Sequence, residues 1–175
     1  YLIDLADYAS DIDGDELFFS GSSDIIIIDI TGSEAVFSAP LNWNGIEIIT
    51  FTVDDDFSRI SVSEEVLINV TAVNDSPLLN LPQELTFYED DSLQIDLEEY
   101  CSDIDDIELT LSINGIPEFV VAELNGFIVE FYAMENWSGN ETVHFLLSDG
   151  ELSVSDYINV IVVEVSDEPQ IDLPE

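Results

Sequence analysis

Apolar residues recur along this chain in short alternating runs, not at the spacing of an amphipathic helix. Residues 109–113, 127–132 and 142–147 are the clearest runs, and each is rich in β-branched or aromatic side chains. Asn-Gly and Asp-Gly pairs separate them, as expected for tight turns. The pattern predicts short strands joined by turns, with a longer apolar strand over residues 158–165.

The longest aliphatic block is the run of four isoleucines at 25–28, which Asp24 and Asp29 flank. It predicts a strand whose charged neighbours limit aggregation. No apolar run is long enough to span a bilayer, and no segment has the periodicity of a helix. The predicted elements are therefore all β.

An internal repeat organises these strands. Residues 3–13 match residues 95–105, with Asp11 aligned to Asp103, 92 positions later. Residues 42–45 (Asn-Trp-Asn-Gly) match 136–139 (Asn-Trp-Ser-Gly), and residues 73–77 match 165–169. About seven strands in roughly 90 residues indicate an immunoglobulin-type Greek-key β-sandwich in each repeat.

The repeat frame predicts three segments. Residues 1–75 form a repeat that lacks its first strand, and residues 76–168 form a complete repeat. Residues 169–174 resemble residues 77–82, so segment 169–175 is either the start of a following repeat or a donor strand. In the donor alternative, this C-terminal segment completes the first repeat of another chain by strand exchange.

Composition restricts the partners of such a chain. It carries 40 Asp and Glu residues but a single base, Arg59, for a formal net charge of −39. Nucleic-acid binding needs a basic footprint, and an anionic membrane surface would repel this chain. Hydrophobic residues make up 46% of it, which favours a folded core over a disordered acidic tail. The single cysteine, Cys101, excludes an intrachain disulfide.

Part of the acidity is concentrated at the repeat ends. The second repeat has the groups Glu89-Asp90-Asp91, Asp103-x-Asp105, Asp149 and Asp167-Glu168, with Glu141 as a weaker candidate; the first has Asp11-x-Asp13, Asp54-Asp55-Asp56, the linker Asn74-Asp75, and Glu47. Calcium takes six to eight oxygen ligands and would offset the repulsion among such carboxylates. One Asp-x-Asp pair alone is better explained as a solvated turn. Its recurrence beside an Asn-Asp-x-Pro linker favours calcium binding.

The order of these motifs resembles the cadherin-like tandem repeats of large bacterial surface adhesins. The shared features are an acid after the first strand (Glu89), an Asp-x-Asp loop before a Leu-x-Leu-Ser strand, a late strand-end Asp (Asp149) and the linker at 73–77. The Asn-Trp-x-Gly motif, followed by an aromatic strand and Ser-Asp-Gly, is similar to the bacterial branch. The resemblance covers nearly the whole chain and implies tandem cadherin-like β-sandwiches.

The resemblance also implies Ca²⁺ at the junctions between repeats. The complete junction would use Asn74, Asp75, Asp103, Asp105 and Asp149, with Glu47 from the first repeat. Asp11, Asp13 and Asp55 would serve an upstream junction, and Glu89, Glu141 and Asp167 a downstream one. Two departures weaken the outer sites: Asp106 stands where the first repeat has Gly14, and residues 166–169 lack the linker Asn.

The implied function is a calcium-rigidified structural or adhesive module of a bacterial surface protein or fibre. Its partners would be neighbouring repeats of the same or identical chains and a surface glycan or protein receptor. Two other hypotheses stay open: a calcium-assisted glycan-binding module that uses exposed Trp43 or Trp137, and salt adaptation without a metal. No enzyme is predicted, because the carboxylates form no recognisable acid–base pocket. His144 and Cys101 are interpreted as structural residues.

Overall fold

The computed structural model describes residues 1–55, 61–169 and 171. Arg59, Asp56 and most of the predicted donor segment 169–175 lie outside the described residues. The chain forms two compact units, unit 1 (Tyr1–Val73) and unit 2 (Asn74–Glu175). Both are built from strands, so the prediction of all-β sandwiches is confirmed. The residue boundaries assigned to the repeats stay a prediction.

The described residues of unit 1 form six strands in two antiparallel sheets. They are β1 (Leu2–Asp4), β2 (Leu17–Ser22), β3 (Ile27–Thr31), β4 (Glu34–Ser38), β5 (Gly45–Asp55) and β6 (Ser61–Val70). One sheet has the order β1-β4-β3 and the other β2-β5-β6. A 3-10 turn, Leu5–Asp7, follows β1. In this unit β6 is paired only with β5 among the described residues.

Unit 2 repeats this arrangement and adds strands at its start. Its strands are β7 (Leu78–Leu79), β8 (Glu84–Tyr88), β9 (Ser92–Asp96), β10 (Cys101–Ser102), β11 (Thr110–Ile113), β12 (Val120–Asn125), β13 (Ile128–Ala133), β14 (Gly139–Ser148) and β15 (Ser153–Val163). The sheets have the orders β9-β13-β12 and β11-β14-β15-β8, with a short β7-β10 ladder. Strand β8 runs parallel to β15, while the other pairs are antiparallel.

The cores follow from the alternation of the strands. In β14, Val143, Phe145 and Leu147 are fully buried and the residues between them face outward. Phe145 meets Phe131 of the opposite sheet edge-on, with ring centroids 6.5 Å apart. The buried cluster of unit 1 is smaller and consists of Leu5, Ile26, Ala35, Phe37 and Ile49. Both units are therefore two-layer sandwiches with separate cores.

The strand predicted over the isoleucine block begins two residues late. Ile25 and Ile26 lie in a bend, and β3 starts at Ile27. The backbone N–H groups of Asp24 and Ile25 donate to the carboxylate of Glu47, at 3.0 and 3.3 Å. Since these donors are bound by a side chain, they do not join a ladder. The β propensity of isoleucine is overridden here by a tertiary contact.

The Asn-Trp-x-Gly motif forms the same turn in both units. Asn42 and Asn136 have φ of 59° and 57°, in the left-handed region that asparagine tolerates better than most residues. Directly after Asn, each Trp is half-buried and lies against the motif glycine two residues later. A Cβ on Gly139 would approach the Trp137 ring to 3.0 Å. The motif is therefore explained by turn geometry and ring packing.

Replacing Gly139 by Ala should destabilise unit 2 by roughly 2–3 kcal/mol, because strain at positive φ adds to a clash with Trp137. Gly115→Ala is the matched control, since Gly115 also has positive φ but no atom lies within 4 Å of its added Cβ. The control should cost about 1 kcal/mol. Equilibrium urea unfolding measures both, and equal losses would contradict a packing role for the tryptophan.

Candidate metal centre

The linker residues Asn74 and Asp75 are bound to two acidic loops of unit 2. The Asn74 side-chain amide donates to Asp149 Oδ2 at 3.0 Å. The backbone N–H of Asp75 donates to Asp105 Oδ2 at 2.8 Å. Four of the five residues predicted for the complete junction are therefore joined in pairs. The fifth, Asp103, belongs to the same loop as Asp105.

Asp103 holds this loop in a tight turn. Its Oδ1 accepts the backbone N–H groups of Asp105 and Asp106, at 2.7 and 2.9 Å. Within the part of the chain that the structure describes, its Oδ2 is buried and has no hydrogen-bond partner. A buried carboxylate oxygen without a partner is costly, because it loses water without compensation. A cation beside this oxygen would offset that cost.

Asp149 is held by several donors. Besides Asn74, the backbone N–H groups of Glu151 and Leu152 donate to its Oδ1, at 2.7 and 2.6 Å. The hydrogen bond from Asn74, with smaller help from these backbone donors, lowers the pKa of Asp149 below its ordinary value, although partial desolvation opposes the shift. Asp149 is therefore a fixed, ionised carboxylate at the base of the linker.

The five residues form a hydrogen-bonded network, not a finished coordination shell. Among the described residues, no three His, Cys, Asp or Glu side chains converge closely enough to hold a metal ion. The available donors are nevertheless all hard oxygens, which suit Ca²⁺ and not a soft metal. The unpartnered Asp103 Oδ2 lies in this network. The types of donor atom in this network thus suit calcium.

The acidic loop of unit 1 has the same turn. Asp11 Oδ1 accepts the backbone N–H groups of Asp13, Gly14 and Asp15 at 2.8–3.2 Å. The side chain of Asp13 is exposed. Asp55 is the last residue of β5 and pairs with Leu17 in the ladder. In this unit the first Asp of Asp-x-Asp serves the turn, and its role in an upstream junction stays a prediction.

Glu47 and Glu141 occupy equivalent positions in the two units. The side chain of each accepts hydrogen bonds from backbone N–H groups of a nearby loop in its own unit. Glu141 accepts the N–H groups of Glu118, Phe119 and Val120 at 2.5–2.8 Å. Glu47 accepts the Ser23 hydroxyl together with the N–H groups of residues 24 and 25. Sequence reasoning missed this role, although the repeated Asn-Trp-x-Gly-x-Glu spacing was its signal. Each carboxylate fixes the loop before β3 or β12.

Of the acids predicted for the downstream junction, Glu89 is buried and Asp167 is exposed. Glu89 is only 5% exposed and accepts the backbone N–H of Val165 at 2.6 Å. The backbone N–H of Glu89 also donates to Val163 O at 3.0 Å. Asp167 is exposed. Glu89 therefore holds the chain where it leaves β15, as Asn74 and Asp75 are held where the chain enters unit 2.

The remaining chemical candidates have structural surroundings. Trp43 and Trp137 are half-buried against the two cores, and Trp137 stacks on Phe119 with ring centroids 5.1 Å apart. This packing favours an anchoring role over an open carbohydrate-stacking face. Cys101 is half-buried and donates to Leu97 O, and desolvation, with the nearby Glu98 charge, raises its pKa to about 11. Its thiol is therefore protonated at neutral pH.

Comparison with known proteins supports the fold. No family model and no curated protein matches the chain. The human protocadherin-24 EC1-2 structure is similar with a TM-score of 0.54 and 18% identity, over 89% of this chain and 86% of that one. Drosophila N-cadherin EC1-4 gives 0.53 and 18%, over 85% and 41%. At such identities the likeness shows a cadherin-like fold alone.

Endo-fucoidan hydrolases of glycoside hydrolase family 107 also match, with a TM-score of 0.41 and 17% identity over 88% of this chain. The chain spans only 24% of the length of that enzyme. A likeness this weak carries no argument about activity. Across the described residues, no helix has the length and apolar character needed to cross a membrane.

Replacing Asn74 by Ala should raise the pKa of Asp149 toward its ordinary value, because the largest cause of its lowering is lost. A lowered folded-state pKa stabilises the protein above the unfolded pKa, near 4, and this contribution disappears as pH falls through the folded value. Carboxyl NMR titration of Asp149 measures the shift, with Asn80→Ala as the control. An unchanged titration in Asn74→Ala would contradict the assigned cause.

Glu141→Ala should destabilise unit 2 by about 1–3 kcal/mol in the presence of a chelator, since three backbone N–H groups lose their acceptor. Glu118→Ala is the control, because only the backbone of Glu118 takes part in the contact. Chemical unfolding in EDTA gives both values. If Glu141→Ala lost stability only when calcium was present, the carboxylate would be a metal ligand and its assignment as a loop anchor would be wrong.

Proposed function

We propose that the chain is a structural and adhesive tandem-repeat module of an extracellular surface protein or fibre, and that Ca²⁺ orders its linker. The observation that carries the proposal is the buried, unpartnered Asp103 Oδ2 beside linker residues that are hydrogen-bonded to the same acidic loops. The cadherin-like fold agrees with a module that works as one of several consecutive repeats. The bacterial setting rests on the sequence motifs.

The proposed calcium ligands come from two parts of the chain. Asp103, Asp105 and Asp149 come from loops of unit 2, and Asn74 and Asp75 come from the linker that enters it. Calcium would supply a divalent charge that these oxygens share. Because linker and loop ligands lie in different segments, an ion bound to both would restrict the linker. A stiff linker transmits load and orientation from one repeat to the next.

The charge of the chain supports a cationic partner. With a formal net charge of −39, folding concentrates negative charge that one arginine cannot offset. Each bound Ca²⁺ would reduce this net negative charge by two. Salt adaptation would also reduce repulsion, but it provides no partner for one buried oxygen in a particular loop.

Calcium titration should give saturable binding, and 1 mM CaCl₂ should raise the Tm of unit 2 relative to EDTA. A ligand at 100 times its Kd stabilises the folded state by about 2.7 kcal/mol. Asp103→Asn should weaken calcium binding at least tenfold, because it removes the charge of the unpartnered oxygen. Calorimetry measures the binding, and differential scanning calorimetry measures the Tm.

Asp106→Asn is the matched control, since it removes one charge from the same loop without touching the buried oxygen. It should change calcium affinity less than threefold. A Tm that responds to molar NaCl but not to millimolar CaCl₂ would refute the calcium proposal and favour salt adaptation. If Asp103→Asn and Asp106→Asn weakened calcium binding equally, calcium would be attracted by the overall negative charge of the loop and not bound at a specific site.

A further inference from the structure

The outer face of the sheet β11-β14-β15-β8, here called the near-neutral face, carries almost no acids. Its outward positions are the even-numbered residues of β8, β11 and β14 and the odd-numbered residues of β15, which alternate with positions that point into the core. Of these 16 positions only Glu84 is acidic, although Asp and Glu make up 40 of the 175 residues. All 16 lie within residues 84–163, so the composition of this face does not depend on either end of the chain.

The other sheet of unit 2 is acidic on its outer face. Among the nine outward positions of β9, β12 and β13, three are acids, and two of them, Glu123 and Glu130, lie opposite each other in the ladder. Unit 1 has the same asymmetry. Its sheet β2-β5-β6 has two acids at 13 outward positions, whereas β1-β4-β3 has three at eight. The acids are therefore distributed unequally between the two sheets of each unit.

Uncharged polar groups dominate the near-neutral face. Eleven of its 16 side chains carry a hydroxyl or amide group. Tyr88 and Tyr157 are 55% and 52% exposed, and the Tyr157 ring lies beside His144 with centroids 5.8 Å apart. Within the described residues, no hydrogen bond occupies the side chains of Thr142 or Asn159, which are cross-strand neighbours. These groups are therefore available to an external ligand.

Charge restricts the ligand that this face can bind. The net charge of −39 would repel an anionic polymer. A cationic partner would bind the acidic sheet of either unit more strongly than this one. A second copy carries the same negative charge, and the face has only three aliphatic side chains with which to form the apolar core of a protein interface. An uncharged ligand rich in hydroxyl groups meets none of these obstacles.

The counterpart face of unit 1 lacks this chemistry. The counterpart of Thr142 is Ile48, which is 53% exposed. The counterpart of Asn159 is Leu67, which pairs with Ile48 in the ladder and is 62% exposed. An acid, Glu65, stands where unit 2 has its tyrosine beside the histidine. The hydrogen-bonding groups and the exposed ring are therefore features of unit 2 and not of the repeat in general.

We propose that the near-neutral face of unit 2 binds a neutral polysaccharide. The Tyr157 ring packs against the apolar face of a sugar ring, and the side chains of Thr142 and Asn159 form hydrogen bonds with sugar hydroxyl groups. Tyr88 lies opposite Val163, about 20 Å along β15 from Tyr157 at a rise of about 3.3 Å per residue. This length of face favours a polymer over a single sugar.

Such binding rests on the adhesive function proposed above, to which it adds a target, but it needs no calcium, because Glu84 is the single acid of the face. The calcium site and the polysaccharide site can therefore be tested separately on the same full chain.

Affinity electrophoresis of the full chain tests the binding. The gels contain galactomannan, xyloglucan, mixed-linkage β-glucan or dextran, with dextran sulfate as the anionic counterpart of dextran. At least one neutral polymer should retard the chain in a saturable manner, equally in EDTA and in 1 mM CaCl₂, and dextran sulfate should not retard it. Absence of retardation by all four neutral polymers, or retardation by dextran sulfate alone, would overturn the proposal.

Three variants locate the binding on the near-neutral face. Tyr157→Ala should weaken it at least tenfold. Thr142→Ile, which introduces the unit 1 counterpart, should weaken it at least threefold. Tyr132→Ala is the matched control, because Tyr132 lies on the acidic sheet and its hydroxyl donates to Glu123; it should leave binding within twofold. Circular dichroism confirms that the variants are folded, and equal losses in Tyr157→Ala and Tyr132→Ala would overturn the location.

The remaining outcomes separate this site from the calcium site and from self-association. Polysaccharide binding in a chain whose Tm ignores calcium would refute the calcium proposal alone and support the near-neutral face. Binding that needs calcium and disappears in Asp103→Asn would overturn the face in favour of the metal centre. Dimerisation in sedimentation velocity that Tyr157→Ala abolishes, without binding of any neutral polymer, would overturn the polysaccharide and assign the face to a second copy.

Discussion

The interaction on which this molecule depends is the hydrogen bond from a backbone N–H to a carboxylate. With 40 acids and one arginine, ion pairs can neutralise very few side chains. Carboxylates instead accept main-chain donors at the loop of Asp103, at the loop before β12 and at the exit of β15. Such charge-assisted bonds are stronger than neutral ones. The acidic side chains that carry the excess negative charge therefore also hold the loops in place.

This use of carboxylates limits how the charge can be tolerated. An acid that binds main-chain N–H groups stays ionised, so it keeps contributing to the repulsion of the whole chain. Asp149 illustrates the effect, since the donors that fix it also lower its pKa. Loop order and net charge are therefore coupled. The cation proposed for the Asp103 loop would reduce the repulsion without breaking the loops.

The sequence predicts the repeats, the all-β class and most strands, because alternation and turn pairs are local signals. It predicts the late start of β3 poorly, since that boundary depends on Glu47, more than 20 positions away. The resemblance assigns Glu47 and Glu141 to metal sites, whereas their hydrogen bonds from backbone N–H groups are seen only in the folded chain. The linker motif predicts that Asn74 and Asp149 belong to one site. The hydrogen bond between their side chains depends on the fold, and so does the burial that leaves one oxygen of Asp103 without a partner among the described residues.

The two units show why equal patterns do not give equal cores. Strands β6 and β15 carry matching apolar faces, yet Val66 is substantially exposed and Ile158 is buried. In unit 2, the segment that carries β7 and β8 contributes Leu79, Leu81 and Phe87 to the core. At about 25 cal/mol per Å² of buried apolar area, one covering strand is worth several kcal/mol. Because stability per domain is itself only 5–15 kcal/mol, a segment that places three apolar side chains in the core accounts for a large share of the stability of unit 2.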